Sequence, residues 1–184
     1  MCPEPGYRRA PPAGGGAAGI RLLSVRHAEA VRRDRRIDDV DRERGRGEAP
    51  RTGRRLAGSG LEPDSVLRSP SRRTRQAWQL AAPVLEDPPP VVHEERLYKT
   101  PPGTLVSVPA ERSVGLHTVG RVGHKAGSRE PAVGLCGSGP PEPLERVRAG
   151  FPTSGVVLIE LPGAGSRCPS PGSGRVTARW SPAD

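Results

Sequence analysis

Aromatic side chains are nearly missing from this chain. Its 184 residues include two Trp, two Tyr and one Phe, 3% in all, and only 33% of the chain is hydrophobic. So little bulk allows only a thin core. It also leaves few flat surfaces on which nucleic-acid bases could stack. Cysteine is scarce, with Cys2, Cys136 and Cys168 alone. No two of them stand at metal-ligand or redox spacing. An odd count in a chain of this size argues against a disulfide framework and fits a reducing cytosol. Long apolar runs are absent as well. None reaches membrane length, and the first residues lack the apolar centre of a signal peptide. These absences predict a cytoplasmic protein with no membrane partner.

Glycine (24), proline (23) and positive charge are plentiful: 29 Lys and Arg stand against 20 Asp and Glu, for a net charge of +9. Gly and Pro together make about a quarter of the chain, near the range of low-complexity sequences. The basic residues are nearly all Arg, whose forked guanidinium holds phosphate oxygens in pairs. A positive field of this kind draws anions.

Residues 1–18 are rich in Pro, Gly and Ala with no apolar period, and read as a disordered leader. The remainder, 19–184, reads as one domain with a loose segment near 163–173. Residues 20–25 predict a buried strand, and 44–57 a weak helix ended by Gly58 and Gly60. Residues 64–67 predict a second strand. Residues 70–85 predict the best helix, because Ala77, Leu80, Ala81, Val84 and Leu85 recur at i, i+3, i+4, i+7 and i+8. Ser69 suits the cap of that helix and Pro70 its first turn. Further strands are predicted at 91–92, 118–123 and 155–161. Alternation of strands with helices argues an α/β layered sheet.

Three of these strands end in basic groups. Leu22-Leu23-Ser24-Val25 runs into Arg26 and His27, residues 64–67 run into Arg68 and an arginine-rich helix start, and 118–123 runs into His124. In open α/β sheets ligands bind beyond the carboxyl ends of the strands. Cations in the first turn of a helix oppose its dipole, at about 0.3–1 kcal/mol each. An anion seated between them and the helix amides removes the conflict. Neutral imidazole is a good nucleophile toward phosphorus. Phosphoryl transfer otherwise needs mainly positioning and positive charge.

"VRHAEA", "ERGRGEA", "SPSRRTRQAW" and "VGHKAG" occur in that order. The set resembles the histidine phosphatase superfamily, with the SixA-type phosphohistidine phosphatases as the nearest subgroup. "GLEPDSVLRSP", "EERLYKTPPGTL" and "FPTSGVVLIEL" support the likeness, which spans about residues 20–161. It implies an α/β three-layer sandwich around a mixed, mostly parallel sheet. It implies His27 as the phosphorylated nucleophile, Arg26 and Arg73 as clamps on the phosphoryl oxygens, and His124 as the group that completes the pocket. Arg72 is the neighbour with which Arg73 could be confused. No cofactor and no metal are implied, and the implied partner is a protein carrying phosphohistidine.

Many members of the superfamily place an acid in the region of "RLYKT"; here Lys99 stands there, with Glu94 and Glu95 displaced. A missing acid fits a phosphoramidate, whose protonated imidazole leaves phosphorus easily, whereas an alkoxide needs a proton as it departs. A small-molecule phosphomonoesterase would need Glu94 or Glu95 as acid. A non-catalytic anion or nucleic-acid binder would use the same basic surface indifferently to His27; nucleic acid is disfavoured by the scarcity of aromatics.

The chain also departs from the resemblance. Asp41 and Arg42 replace Leu-Thr, Gly120 and Arg121 interrupt the aliphatic strand before His124, Pro109 lies near the end of one expected helix, and Pro131 falls in another. A buried charge costs several kcal/mol, on the order of 3–5 when unpaired. A proline inside a helix costs about 3 kcal/mol. These features predict a weakened strand ahead of His124.

Overall fold

In the computed structural model the described residues are 19–32, 38–40, 43–98, 102–113, 115–124, 131–162, 169–182 and 184. The predicted leader, Cys2, Cys168, Lys99 and the Asp41-Arg42 pair lie outside them. The elements are β1 (Ile20–Arg26), β2 (Ala30–Arg32), β3 (Asp38–Val40), α1 (Arg44–Ser59), β4 (Ser65–Arg68), α2 (Arg72–Ala81), β5 (Val91–His93), α3 (Pro102–Glu111), β6 (Thr118–Gly123), α4 (Pro131–Leu135), β7 (Cys136–Ser138), α5 (Pro141–Ala149), β8 (Val156–Leu161) and β9 (Gly174–Trp180).

Seven strands form one sheet in the order β5-β4-β6-β1-β8-β9-β7. The pairs β5/β4, β4/β6, β6/β1 and β9/β7 are parallel. β8 alone opposes its two neighbours. The sheet is therefore mixed and mostly parallel. Strands β1, β4 and β6 end on one edge, and β8 begins there.

Both faces of the sheet are covered, which is why β1 buries residues on both sides rather than alternating buried with exposed. Leu23 and Val25 of β1, Val66 of β4 and Val122 of β6 pack on one face against Leu56 of α1 and Trp78 and Ala81 of α2. Leu22, Val157, Ile159 and Val176 pack on the other against Leu135 of α4 and Val147 of α5. Leu67 and Val119 meet Val108 of α3 on that second face. The expected α/β three-layer sandwich is what the chain forms.

Gly53 allows α1 to approach the end of α2. A β-carbon there would stand 2.2 Å from the Ala81 carbonyl oxygen and 2.6 Å from a Val84 methyl. The helix ends at Gly60, which takes φ +64. A left-handed residue at that position is the usual glycine stop.

Four expectations need correction. The best helix starts at Arg72, not Pro70, and is regular to Ala81, with a 3-10 turn over Ala82–Val84. Ser69 does not cap it; Ser71 holds the cap position, and Thr74 stitches the first turn by donating to the carbonyls of Ser69 and Ser71. The predicted weakness of the strand before His124 is not observed. β6 is unbroken and central in the sheet. Gly120 is filled in by its neighbours, with Val66 2.9 Å and Pro63 3.3 Å from where its β-carbon would be. Arg121 is 1% exposed, and its guanidinium folds along its own strand over Gly123, 2.9 Å from a β-carbon that glycine lacks. Pro131 is the first residue of α4, a position where its missing N–H costs nothing; Pro109 does lie inside α3.

The sequence pattern also passed over two features. A two-stranded ribbon, β2 with β3, lies between the first strand and α1, where no element was predicted. β9 follows the segment read as loose and pairs along β8. Residues 163–168 of that segment are outside the described set. Residues 169–173 form a turn closed by Ser173 donating to the Ser170 carbonyl and Gly172 to the Gly134 carbonyl.

Candidate active site

His27 follows the last residue of β1 and is 7% exposed. Its backbone is held on both sides: its N–H donates to the Gly123 carbonyl at 3.1 Å, and its carbonyl accepts from Ser154 N–H at 3.1 Å. The ring Nδ1 lies 2.7 Å from the Ala28 carbonyl oxygen. A carbonyl can only accept, so Nδ1 carries a proton, and Nε2 is the nitrogen whose lone pair is exposed whenever the ring is neutral.

His124 follows β6, the parallel neighbour of β1. The two imidazole centroids are 5.4 Å apart. Arg73, on the first turn of α2, donates its Nε–H to His124 Nδ1 at 2.7 Å. His124 Nε2 meets the Ser69 hydroxyl at 3.1 Å. With Nδ1 accepting from a cation, the ring proton sits on Nε2 and Ser69 Oγ accepts it. Burial, then the nearby Arg73, His27 and Arg121, push the His124 pKa down to about 3. His124 is thus a neutral imidazole at physiological pH.

The arginines separate by helix phase and strand face. Arg73 turns toward His124 while Arg72 and Arg75 are exposed. Arg26 ends β1 and donates Nη1–H to the Phe151 carbonyl at 2.5 Å. That bond ties it to the loop before β8, which also supplies Ser154 to His27. Arg68 is buried at the end of β4 and its Nη2 lies 3.0 Å from Nε2 of His93 on β5. His117 is exposed.

The carboxylates offered as possible acids sit elsewhere. Glu94 is buried and chelated: Arg96 donates to both of its oxygens at 2.9 and 3.0 Å, and Arg112 adds a bond at 3.3 Å. These bonds, with Arg96 the largest contributor, hold its pKa down to about 2. It is ionised throughout the physiological range and cannot give a proton there. Glu95 is exposed on the adjoining 3-10 turn.

The sequence reading did not assign Ser69 or Tyr98 to the site. Ser69 was assigned to the helix, although its place at a strand end beside Arg68 was a usable clue. Tyr98 stands edge-on to His124 with centroids 5.8 Å apart. Trp78 packs in the core, and Cys136 is a buried thiol whose pKa burial pushes up to about 12. Among the described residues no group of three His, Cys, Asp or Glu could hold a metal ion. No described helix is long and apolar enough to cross a membrane.

No protein-family model matches the chain, and neither does any curated protein. Solved structures do resemble it. The protein histidine phosphatase SixA complexed with tungstate superposes with a TM-score of 0.70 at 20% identity, over 89% of this chain and 98% of that one. A candidate phosphohistidine phosphatase SixA from Agrobacterium tumefaciens gives 0.66 at 24% identity, over 77% and 92%. Another from Nakamurella multipartitia gives 0.70 at 20%, over 95% and 100%. At these identities the likeness is one of fold: the chain has the phosphoglycerate mutase-like α/β sandwich of the SixA phosphatases.

Proposed function

We propose that the chain is a phosphatase of the histidine phosphatase type that hydrolyses phosphohistidine on a protein. The observation that carries this reading is the pairing of two imidazoles 5.4 Å apart at adjacent strand ends, with Arg73 bonded to one of them. His27 Nε2 attacks phosphorus in line. The bond from phosphorus to the substrate imidazole breaks, and that imidazole, already protonated on its other nitrogen, departs neutral. Arg26 and Arg73 stabilise the charge on the equatorial oxygens. His124 and Ser69 complete the donor set, the ring Nε2–H turning from Ser69 to a phosphoryl oxygen. Water then attacks phosphorus on His27, the second P–N bond breaks, and inorganic phosphate leaves.

The pairing of Glu94 with Arg96 and Arg112 supports a phosphoramidate over an ester. An alkoxide leaving group would need a proton that Glu94, held near pKa 2, does not have. The test is phosphate release from a phosphohistidine peptide by the purified protein and by His27→Ala. Turnover that disappears in the variant is expected; full activity in His27→Ala would overturn the reading.

A further inference from the structure

Among the described residues the aromatics are buried with one exception. Trp78, Phe151 and Trp180 are 4%, 3% and 7% exposed, while Tyr98 is 37% exposed. Among the described residues Tyr98 and Val92 are the exposed large hydrophobics. Tyr98 is also the aromatic that touches the candidate site, its ring inclined at 65° to His124. His124 is therefore in ring contact with both Tyr98 and His27.

Tyr98 is held in place rather than carried on a free loop. Its N–H donates to the Glu95 carbonyl at 3.0 Å. Leu97 beside it is 2% exposed, packed with Leu67 and Val108. Glu94, three residues back from Leu97, is fixed by Arg96 and Arg112. The result is a preorganised, partly exposed phenol ring beside His124. In an in-line displacement the leaving group exits on the side of phosphorus away from His27. A flat ring there stabilises a flat leaving group by offset or edge contact and gives little to a flexible aliphatic one.

Resting on the phosphatase reading above, we infer that Tyr98 is a specificity-determining residue that favours substrates whose leaving group is a planar ring, imidazole above all, over aliphatic phosphoramidates. Phosphohistidine and phospholysine separate the two, because both break a P–N bond and only one carries a ring.

The experiment compares kcat/KM for phosphohistidine and phospholysine peptides of one sequence in wild type, Tyr98→Ala and Tyr98→Phe. The expected result is a fall of about two- to ten-fold in the phosphohistidine-to-phospholysine ratio in Tyr98→Ala, the range of one aromatic pair. Tyr98→Phe restores the ratio. An unchanged ratio in Tyr98→Ala, whether both substrates fall together or neither does, overturns the inference. If wild type hydrolyses neither peptide, the phosphatase reading fails, and the inference is read from binding instead. Phenyl phosphate then binds more tightly than butyl phosphate to wild type and not to Tyr98→Ala; equal preference in both proteins overturns it.

Discussion

Arg73 Nε and His124 Nδ1 are 2.7 Å apart, so a permanent cation donates to a ring that burial already keeps neutral. The bond fixes the tautomer of His124 and joins the start of α2 to the end of β6. Replacing Arg73 by Ala is expected to lower kcat/KM by about 10²–10³-fold, the usual loss for one stabilising donor. It also raises the His124 pKa from about 3, because a repelling charge is gone. Arg73→Lys recovers little, since an ammonium lacks the planar fork. Steady-state kinetics and an NMR titration of the ring check both statements.

Acid should weaken the fold through His124. An unfolded histidine takes up its proton near pH 6.5, whereas the folded ring resists until about pH 3. Between those values the unfolded chain binds the extra proton, so stability falls as the pH is lowered through that window and no further below it. His124→Gln should show a smaller drop in Tm between pH 7 and pH 4.5 than wild type. An equal drop in both would mean that other groups carry the acid sensitivity.

Glu94→Gln should hurt stability while leaving the basic limb of the pH–rate profile intact. Glu94 is ionised down to about pH 2, so its ion pairs stabilise the fold fully above its unfolded pKa near 4.5, and that support is lost as the pH falls toward 2. Neutralising it removes charged hydrogen bonds worth about 1–3 kcal/mol, discounted because Arg96 and Arg112 are half exposed. A Tm several degrees lower and an unshifted pH–rate profile are expected. A variant that loses the basic limb of that profile would reinstate Glu94 as an acid.

Gly53→Ala sets two effects against each other. In an exposed helix the change would gain about 1 kcal/mol from propensity. Here the new methyl meets backbone at 2.2 Å, and overpacking of that kind costs about 1–3 kcal/mol or more. The clash outweighs the propensity, and a chemical denaturation curve should show net destabilisation.

Much of this arrangement was legible in the chain. β1 announced itself as an apolar run cut off by Arg26 and His27, and α2 by its period. What was not legible depended on partners distant in sequence. Gly120 and Arg121 looked like damage because a one-dimensional pattern counts missing and charged side chains as losses. In three dimensions Val66 and Pro63 fill the place of the first, and Gly123 gives room to the second. β9 alternates polar with apolar residues after a Gly/Pro/Ser stretch, and only pairing with β8 makes it a strand. Ser69 had the composition of a cap, and its place at a strand end hinted at the site without naming His124 as the partner of its hydroxyl.

The reversed direction of β8 has a consequence for the order in which the pocket is assembled. Because β8 starts where β1 stops, the residues that back the nucleophile arrive late: Phe151 lies 125 positions beyond the Arg26 it holds. As the chain emerges from the ribosome, His27 is made early and waits through α1, α2 and β6 for the segment that seats it. Closing such a distant contact slows folding, and a nascent chain stopped short of residue 154 carries both histidines without the floor beneath the first.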